Sequence, residues 1–243
     1  MRSVIKCLIF ISFIYSNNSW DERLKYSAYF GGIHVANATL KSKDSTTSKG
    51  ERIFTIEFKA KSKASVNYIF PINDIVKIDS YRDSWEPIRV KKDLSEGNYT
   101  HRSIAEFNHV EKYFVFKNDT IEFSEKLMNP YSLIYFFRTK ILNPDTSYQV
   151  NIVDNKKIIP LSFTIQDKEK IKTPIGNFSA KKISPKRKDG KPFKNAGKMI
   201  IWYSEKDKIP VMINLKLKFG SLNLELVKIC LLYTSDAADD SLV

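Results

Sequence analysis

The sequence predicts a mainly β protein, an antiparallel, strongly curved sheet or open barrel, with one helix near residues 130–142 packed on it or plugging it. Three observations lead there. Apolar and polar residues alternate along most of the chain, the period of strands with one buried face. The alternating runs are short and recur at regular intervals between turn residues, which suits a sheet that curls or closes. One stretch near the middle switches to helical spacing.

The elements follow in order. Leu24, Tyr26, Ala28 and Phe30 alternate into the turn pair Gly31-Gly32, and Ile33, Val35, Ala36, Ala38 and Leu40 return, an opening hairpin. Strands are expected over Arg52–Ala60, Asp74–Tyr81, Trp85–Asp93, Thr100–Phe107, Lys112–Phe116 and Thr120–Phe123. A second series covers Ser147–Val153, Lys157–Gln166, Asn177–Ser184, Lys198–Ser204 and Val211–Phe219, closed by Leu222, Leu224 and Leu226. In Pro130–Leu142, Leu133, Ile134, Phe137 and Ile141 share one helical face, with Asn129 as N-cap, Pro130 in the first turn and Asn143-Pro144 as the stop. Lys61–Phe70 is a second helix candidate, with Val66, Ile69 and Phe70 on one side before Pro71. No repeat or Pro-, Gly- or Ser-rich linker divides the chain, so one continuous domain is expected.

The two ends read differently from the body. Arg2 and Lys6 precede the short apolar run Cys7–Tyr15 and the polar Ser16-Asn17-Asn18-Ser19, the layout of a signal peptide over residues 1–19. That run is too short to span a bilayer as a helix, which needs about 20 residues, so export to the periplasm or envelope is expected, with no transmembrane segment after cleavage. The run Cys230-Leu231-Leu232-Tyr233-Thr234-Ser235-Asp236-Ala237-Ala238-Asp239 matches the translation of a transposase sequencing adapter, and residues 230–243 are expected to be a non-native tail. The whole chain of 243 residues carries a formal +13; without Arg2 and Lys6 at one end and Asp236, Asp239 and Asp240 at the other, residues 20–229 carry +14. That domain is strongly basic and contains no cysteine, which suits an oxidising compartment.

The sequence offers little to a catalytic mechanism. His34, His101 and His109 have no metal-ligand spacing, no Gly-x-Ser-x-Gly elbow or Gly-rich phosphate cradle is present, and no metal or cofactor is expected. The pairs Asp79/Asp83 and Glu205/Asp207 read as solvated turn charges rather than acid–base dyads. The densest positive stretch is Lys181-Lys182 with Pro185–Lys198, including Lys186, Arg187, Lys188, Lys191, Lys194 and Lys198 against Asp189. Nucleic acid would suit such a stretch in a cytoplasm, but export removes it as a partner and leaves anionic lipid or lipopolysaccharide. Arg138, one turn after Tyr135, must reach solvent, pair with a carboxylate or meet a ligand.

At the helix, Asn129-Pro130-Tyr131-Ser132-Leu133-Ile134-Tyr135-Phe136-Phe137-Arg138 resembles a signature of the form D-P-x-S-x-x-Y-x-x-R. It is that of the bacterial exported domain of unknown function numbered 3108. Leu24–Leu40 resembles that family's opening hairpin, Thr173–Ala180 its middle strand pair, and Ile201-Trp202-Tyr203-Ser204 through Phe219-Gly220-Ser221 its closing strands. The family's acid before the proline is Asn129 here, which keeps a cap and loses a charge. The resemblance covers about 20–229 and implies a β-rich Gram-negative envelope protein without assigned catalytic residues. Taken together, the expected function is non-enzymatic binding of a lipid or other amphipathic ligand, in the manner of half-barrel lipoprotein carriers. Tyr135, Arg138 and Trp202 would touch the ligand, and Lys186, Arg187, Lys188 and Lys191 an anionic surface. The alternatives are a scaffolding envelope protein or a hydrolase with an unrecognised site.

Overall fold

A computed structural model describes residues 20–144, 146–191, 198–217 and 220–231. The expected signal peptide and residues 232–243 of the expected tail lie outside these, as do Lys194 and the side chain of Lys198 in the basic stretch. The first eight strands are β1 (Glu22–Phe30), β2 (Ile33–Thr46), β3 (Arg52–Ser62), β4 (Asn73–Tyr81), β5 (Pro87–Glu96), β6 (Tyr99–Asn108), β7 (Tyr113–Phe116) and β8 (Asp119–Glu122). A short helix α1 (Ala64–Asn67) lies between β3 and β4. The remainder comprises β9 (Leu127–Met128), α2 (Pro130–Arg138), β10 (Ser147–Asp154), β11 (Lys157–Thr173), β12 (Gly176–Arg187), β13 (Lys198–Ser204), β14 (Pro210–Leu217) and β15 (Gly220–Leu231).

All fifteen strands belong to one sheet, ordered β8-β7-β6-β5-β4-β3-β2-β1-β15-β14-β13-β12-β11-β10-β9, antiparallel except for the two-residue β9–β10 pair. The chain thus makes two meanders joined along one seam, where β1 lies against β15. The outermost strands β8 and β9 do not pair with each other, so the barrel is not closed by a ladder. Side chains bridge the gap instead: Lys92 Nζ donates to Asp154 Oδ1 at 2.7 Å and Asn155 Oδ1 at 3.2 Å, and Lys156 pairs with Asp119.

Alternation places Leu24, Tyr26, Leu40, Phe54, Ile56, Val76, Ile78, Phe163, Tyr203 and Leu226 on the inner face, all buried. That face wraps α2. Every residue from Ser132 to Arg138 is buried, as expected of a helix apolar on all sides. Both halves of the sheet touch it: Ser80 Oγ stands 3.2 Å from Ser132 Oγ on one side, and Tyr203 Oη donates to the Ile134 carbonyl at 3.0 Å on the other. Phe54 packs on Tyr135 at 4.8 Å and Phe163 on Phe137 at 4.9 Å between ring centroids. The helix is therefore a plug.

Several boundaries depart from the sequence reading. Asn129 caps α2 as expected, its Oδ1 accepting from Tyr131 N at 3.0 Å. The helix stops at Arg138 rather than Leu142, because the Thr139 hydroxyl and amide both donate to the Phe136 carbonyl, at 2.7 and 3.0 Å, and tighten the last turn. Ile141 lies beyond the helix and is 72% exposed rather than facing the sheet. The candidate helix Lys61–Phe70 contracts to α1; β3 runs to Ser62, and Ile69 and Phe70 are exposed. β11 extends past Gln166 to Thr173, with a register shift at Gln166/Lys168 and with Ile171 and Thr173 buried beyond it. β9 was not foreseen. Cys230 and Leu231 continue β15 opposite Arg23 and Glu22, so the expected start of the tail falls inside a strand.

Candidate functional site

The three residues expected to meet a ligand do not form one site. Arg138, expected to touch the ligand, is interior and paired with a carboxylate. It is 8% exposed, and its two terminal nitrogens donate to the two carboxylate oxygens of buried Glu22. The guanidinium also stands 4.7 Å from the Trp20 ring and 5.4 Å from that of Tyr135. A planar fork on a carboxylate, stacked on aromatic faces, is the geometry in which arginine is held as structure. Tyr135 is fully buried in the same cluster, and burial pushes its phenol well above the usual range. Trp202 points the other way, because its strand neighbour Tyr203 points inward. Its indole N–H donates to Glu169, and the Lys182 ammonium stands 5.5 Å from its ring.

The Arg138 pair belongs to a larger group that closes one end of the barrel. Trp20 stacks on Trp85 at 5.9 Å, Phe54 meets Trp85 edge-on at 5.3 Å, and the Arg82 guanidinium lies 4.3 Å from Trp20 and 4.8 Å from Trp85. Arg82 Nε is 2.9 Å from Asp44 Oδ1, and the Trp20 amide donates to Asp44 Oδ2 at 3.1 Å. Burial pulls the Arg82 guanidinium down, with Asp44 opposing. Each cation here has a carboxylate and two or more rings around it, so neither is free to receive a ligand. Sequence reading missed Trp20, Glu22, Asp44 and Arg82, whose partners lie far away along the chain.

The opposite end carries the turns at 31–32, 63–72, 97–98, 117–118 and 155–156 and the connection after Arg187. The expected surface patch lies here. Lys186, Lys188 and Lys191 are exposed; Lys188 Nζ donates to Gln149 Oε1 at 2.8 Å. Arg187 is turned onto Asp189, Nε to Oδ1 at 2.8 Å, and this bond holds the Asp189 carboxyl down to about 2. Lys63, Lys117 and Lys156 add positive charge to the same end. Inside the mouth, Asp74 is 8% exposed and raised to about 7, by burial first and by the neighbouring Glu96, despite the Ser95 N–H it accepts at 2.9 Å.

Among the described residues, α2 occupies the space inside the sheet where the apolar binding face was expected. A gap bounded by Val90, Ala105, Phe116 and Val153 measures about 10 Å³, at the limit for one water. The larger openings are surface grooves: one of about 540 Å³ beside Asn73, Ile75, Asp93, Thr100 and Arg102, another of about 480 Å³ beside Glu111, Glu122, Phe123 and Ile158. Each histidine has a local partner: the Ala36 carbonyl for His34 at 3.1 Å, Ser103 Oγ for His101 at 3.0 Å and the Pro87 carbonyl for His109 at 2.7 Å. Among the described residues, no group of three His, Cys, Asp or Glu side chains could hold a metal, and no helix is long and apolar enough to cross a membrane.

A family model, that of the protein of unknown function DUF3108, matches residues 25–227. The chain belongs to that family. The DUF3108 chain is also similar to a β-barrel-like protein from Brucella abortus, a domain of unknown function DUF1849, with a TM-score of 0.57 and 11% identity. The match covers 87% of this chain and 98% of that one, and at such identity it speaks to the fold alone. A Bacteroides fragilis protein, described as a candidate exported protein with a YmcC-like fold, matches with a TM-score of 0.39 and 10% identity over 86% of this chain and 95% of its own. No curated protein matches the DUF3108 chain in sequence.

Proposed function

We propose that the protein is an exported, non-enzymatic envelope module that binds an anionic amphipathic surface, lipid or lipopolysaccharide, from outside its barrel. The observation that carries this reading is the contrast between a filled interior and a basic, turn-bearing end. The helix plug occupies the place a carried lipid would take. Lys186, Lys188 and Lys191, with Lys63, Lys117 and Lys156, remain exposed at one end. Each lysine or arginine near an anionic surface contributes up to ~1 kcal/mol, screened over about 8 Å at physiological salt. Several together support reversible docking. Export rests on the basic, short apolar leader. The filled interior also favours a scaffolding role, in which this end would meet protein rather than lipid.

Co-sedimentation with vesicles separates these readings. Wild type binds vesicles containing phosphatidylglycerol at low salt and is released at high salt, and neutral phosphatidylcholine vesicles do not retain it. A variant with Lys186, Arg187, Lys188 and Lys191 changed to Gln loses about tenfold or more in affinity. Because the three lysines are exposed and Arg187 pairs with its exposed neighbour Asp189, its Tm stays within about 2 °C of wild type. Equal binding by both proteins, or none by either, removes the docking role. Stoichiometric lipid copurifying with the protein would favour a carrier.

A further inference from the structure

We propose that Tyr68-Ile69-Phe70, on the connection from β3 to β4, is a prong that enters the headgroup and upper acyl region of an anionic bilayer. The inference rests on the docking reading above and names the element that makes it a membrane contact. Tyr68 is 97% exposed, Ile69 82% and Phe70 49%. Three consecutive bulky apolar side chains in water are unusual for a surface turn and mark a place where another apolar phase belongs.

The prong is built rather than loose. The amides of Ile69 and Phe70 both donate to the Val66 carbonyl at 2.9 Å. At its base Ser62 Oγ donates to Asn67 Oδ1 at 2.8 Å and accepts from the Ile72 amide at 2.9 Å. Gly97 N donates to the Pro71 carbonyl at 2.8 Å, which ties the prong to the β5–β6 turn. Gly97 has a φ of +58°, and a Cβ there would stand 2.9 Å from Phe70 Cε2, so glycine is what lets the phenyl ring rest on that turn. Such ties hold the side chains outward and spare the ordering cost that a flexible loop would incur on insertion.

Neighbouring turns extend the apolar strip. Ile33, 66% exposed, lies at the β1–β2 turn, and the Lys63 amide joins that region through the Val35 carbonyl at 2.9 Å. Tyr99, 54% exposed, follows Gly97 on the other side. Around the same end stand the exposed Lys63, Lys117, Lys186, Lys188 and Lys191, with Lys156 paired to Asp119. An apolar strip that includes tyrosine, on an end that also carries exposed lysines, fits an interface with hydrocarbon below and anionic headgroups above. That charge complementarity selects a bilayer over a second copy of this chain, whose own end would carry the same positive charge.

The test uses the mature protein with Tyr68→Trp, and vesicles whose acyl chains carry bromine. With phosphatidylglycerol–phosphatidylcholine vesicles, the added fluorescence shifts to the blue and is quenched beyond the wild-type background; with phosphatidylcholine alone it is not. Ile69→Asp, at an exposed position, keeps the wild-type circular dichroism and Tm, and weakens binding to anionic vesicles by about tenfold while the salt dependence persists. If wild type binds anionic vesicles but the indole is not quenched and Ile69→Asp binds as tightly, the prong is overturned and docking by charge alone survives. If wild type binds no vesicle, both readings fall. A concentration-dependent dimer abolished by Ile69→Asp, with vesicle binding unchanged, assigns the strip to a second copy and overturns the proposal.

Discussion

Cations stand at both ends of this barrel, yet they behave oppositely. At the end closed by Trp20, Arg82 and Arg138 are each buried, each held by a carboxylate on a strand distant in sequence and each stacked on aromatic rings. At the other end, Lys186, Lys188 and Lys191 are exposed, and the same end carries the exposed Tyr68, Ile69 and Phe70. Residue type alone does not separate these cases. What separates them is whether a carboxylate from a distant part of the chain packs against the cation, as Asp44 does on Arg82 and Glu22 on Arg138. The lesson concerns desolvation: a charge withdrawn from water needs a partner at once, whereas an exposed charge keeps its affinity for something that arrives later.

The largest break in this contrast comes from Arg138→Ala, which leaves Glu22 buried and unpaired. A loss of about 3–5 kcal/mol is expected, a fall in Tm of roughly 6–20 °C for a domain of this size. Calorimetry checks it, and replacing Glu22 as well by a neutral side chain of similar size should recover much of the loss. Full stability in the single variant would return Arg138 to the list of binding residues.

Arg138 also shows how far the sequence could be read. That it must reach solvent, a carboxylate or a ligand followed from its place one turn after Tyr135. Which of the three applies depended on Glu22, which lies 116 positions away and reaches it only through the packing of α2 against β1. The strands were legible because period two is local, and so was the cap at Asn129. The end of α2 was not, since Thr139 terminates it by a side-chain bond that any polar residue could equally have left unmade. The helix candidate at Lys61–Phe70 shortened for a related reason: Val66, Ile69 and Phe70 at helical spacing look like one buried face, but β3 runs on to Ser62 and Ile69 and Phe70 are exposed.

A middle-sized effect sharpens the comparison from inside the basic end. Folded Asp74, raised to about 7, keeps its proton where the unfolded chain, near 4, has lost it. The folded state therefore binds more protons between those values, and stability falls as pH rises through about 4 to about 7, then levels off. Asp74→Asn should flatten that segment of the Tm-against-pH curve; an unchanged slope would mean that Asp74 is not its source. The smallest effect belongs to the end of the helix segment. Ile141→Ala should change stability by less than about 0.5 kcal/mol, whereas Phe137→Ala, one turn earlier and fully buried, should cost about 3–5 kcal/mol. Comparable losses in denaturant titrations would place Ile141 on the plug after all.

The seam between β1 and β15 bears on how such a chain acquires its shape. Within each meander every strand meets a partner next to it in sequence, so pairing can spread turn by turn. The seam is different: Leu24 waits for Ile229 and Ala28 for Leu224. Closing so long a loop adds little entropy cost over closing a moderate one, because the penalty grows only with the logarithm of length, but it comes late. Until then β1 offers an unpaired edge carrying Leu24, Tyr26 and Ala28, ready to add any passing strand. Synthesised N-terminus first, the chain holds that edge open until residues 220–231 arrive. The period of greatest risk for this protein is thus the interval between the emergence of its first strand and its last, when a holding chaperone would matter more than any feature of the finished barrel.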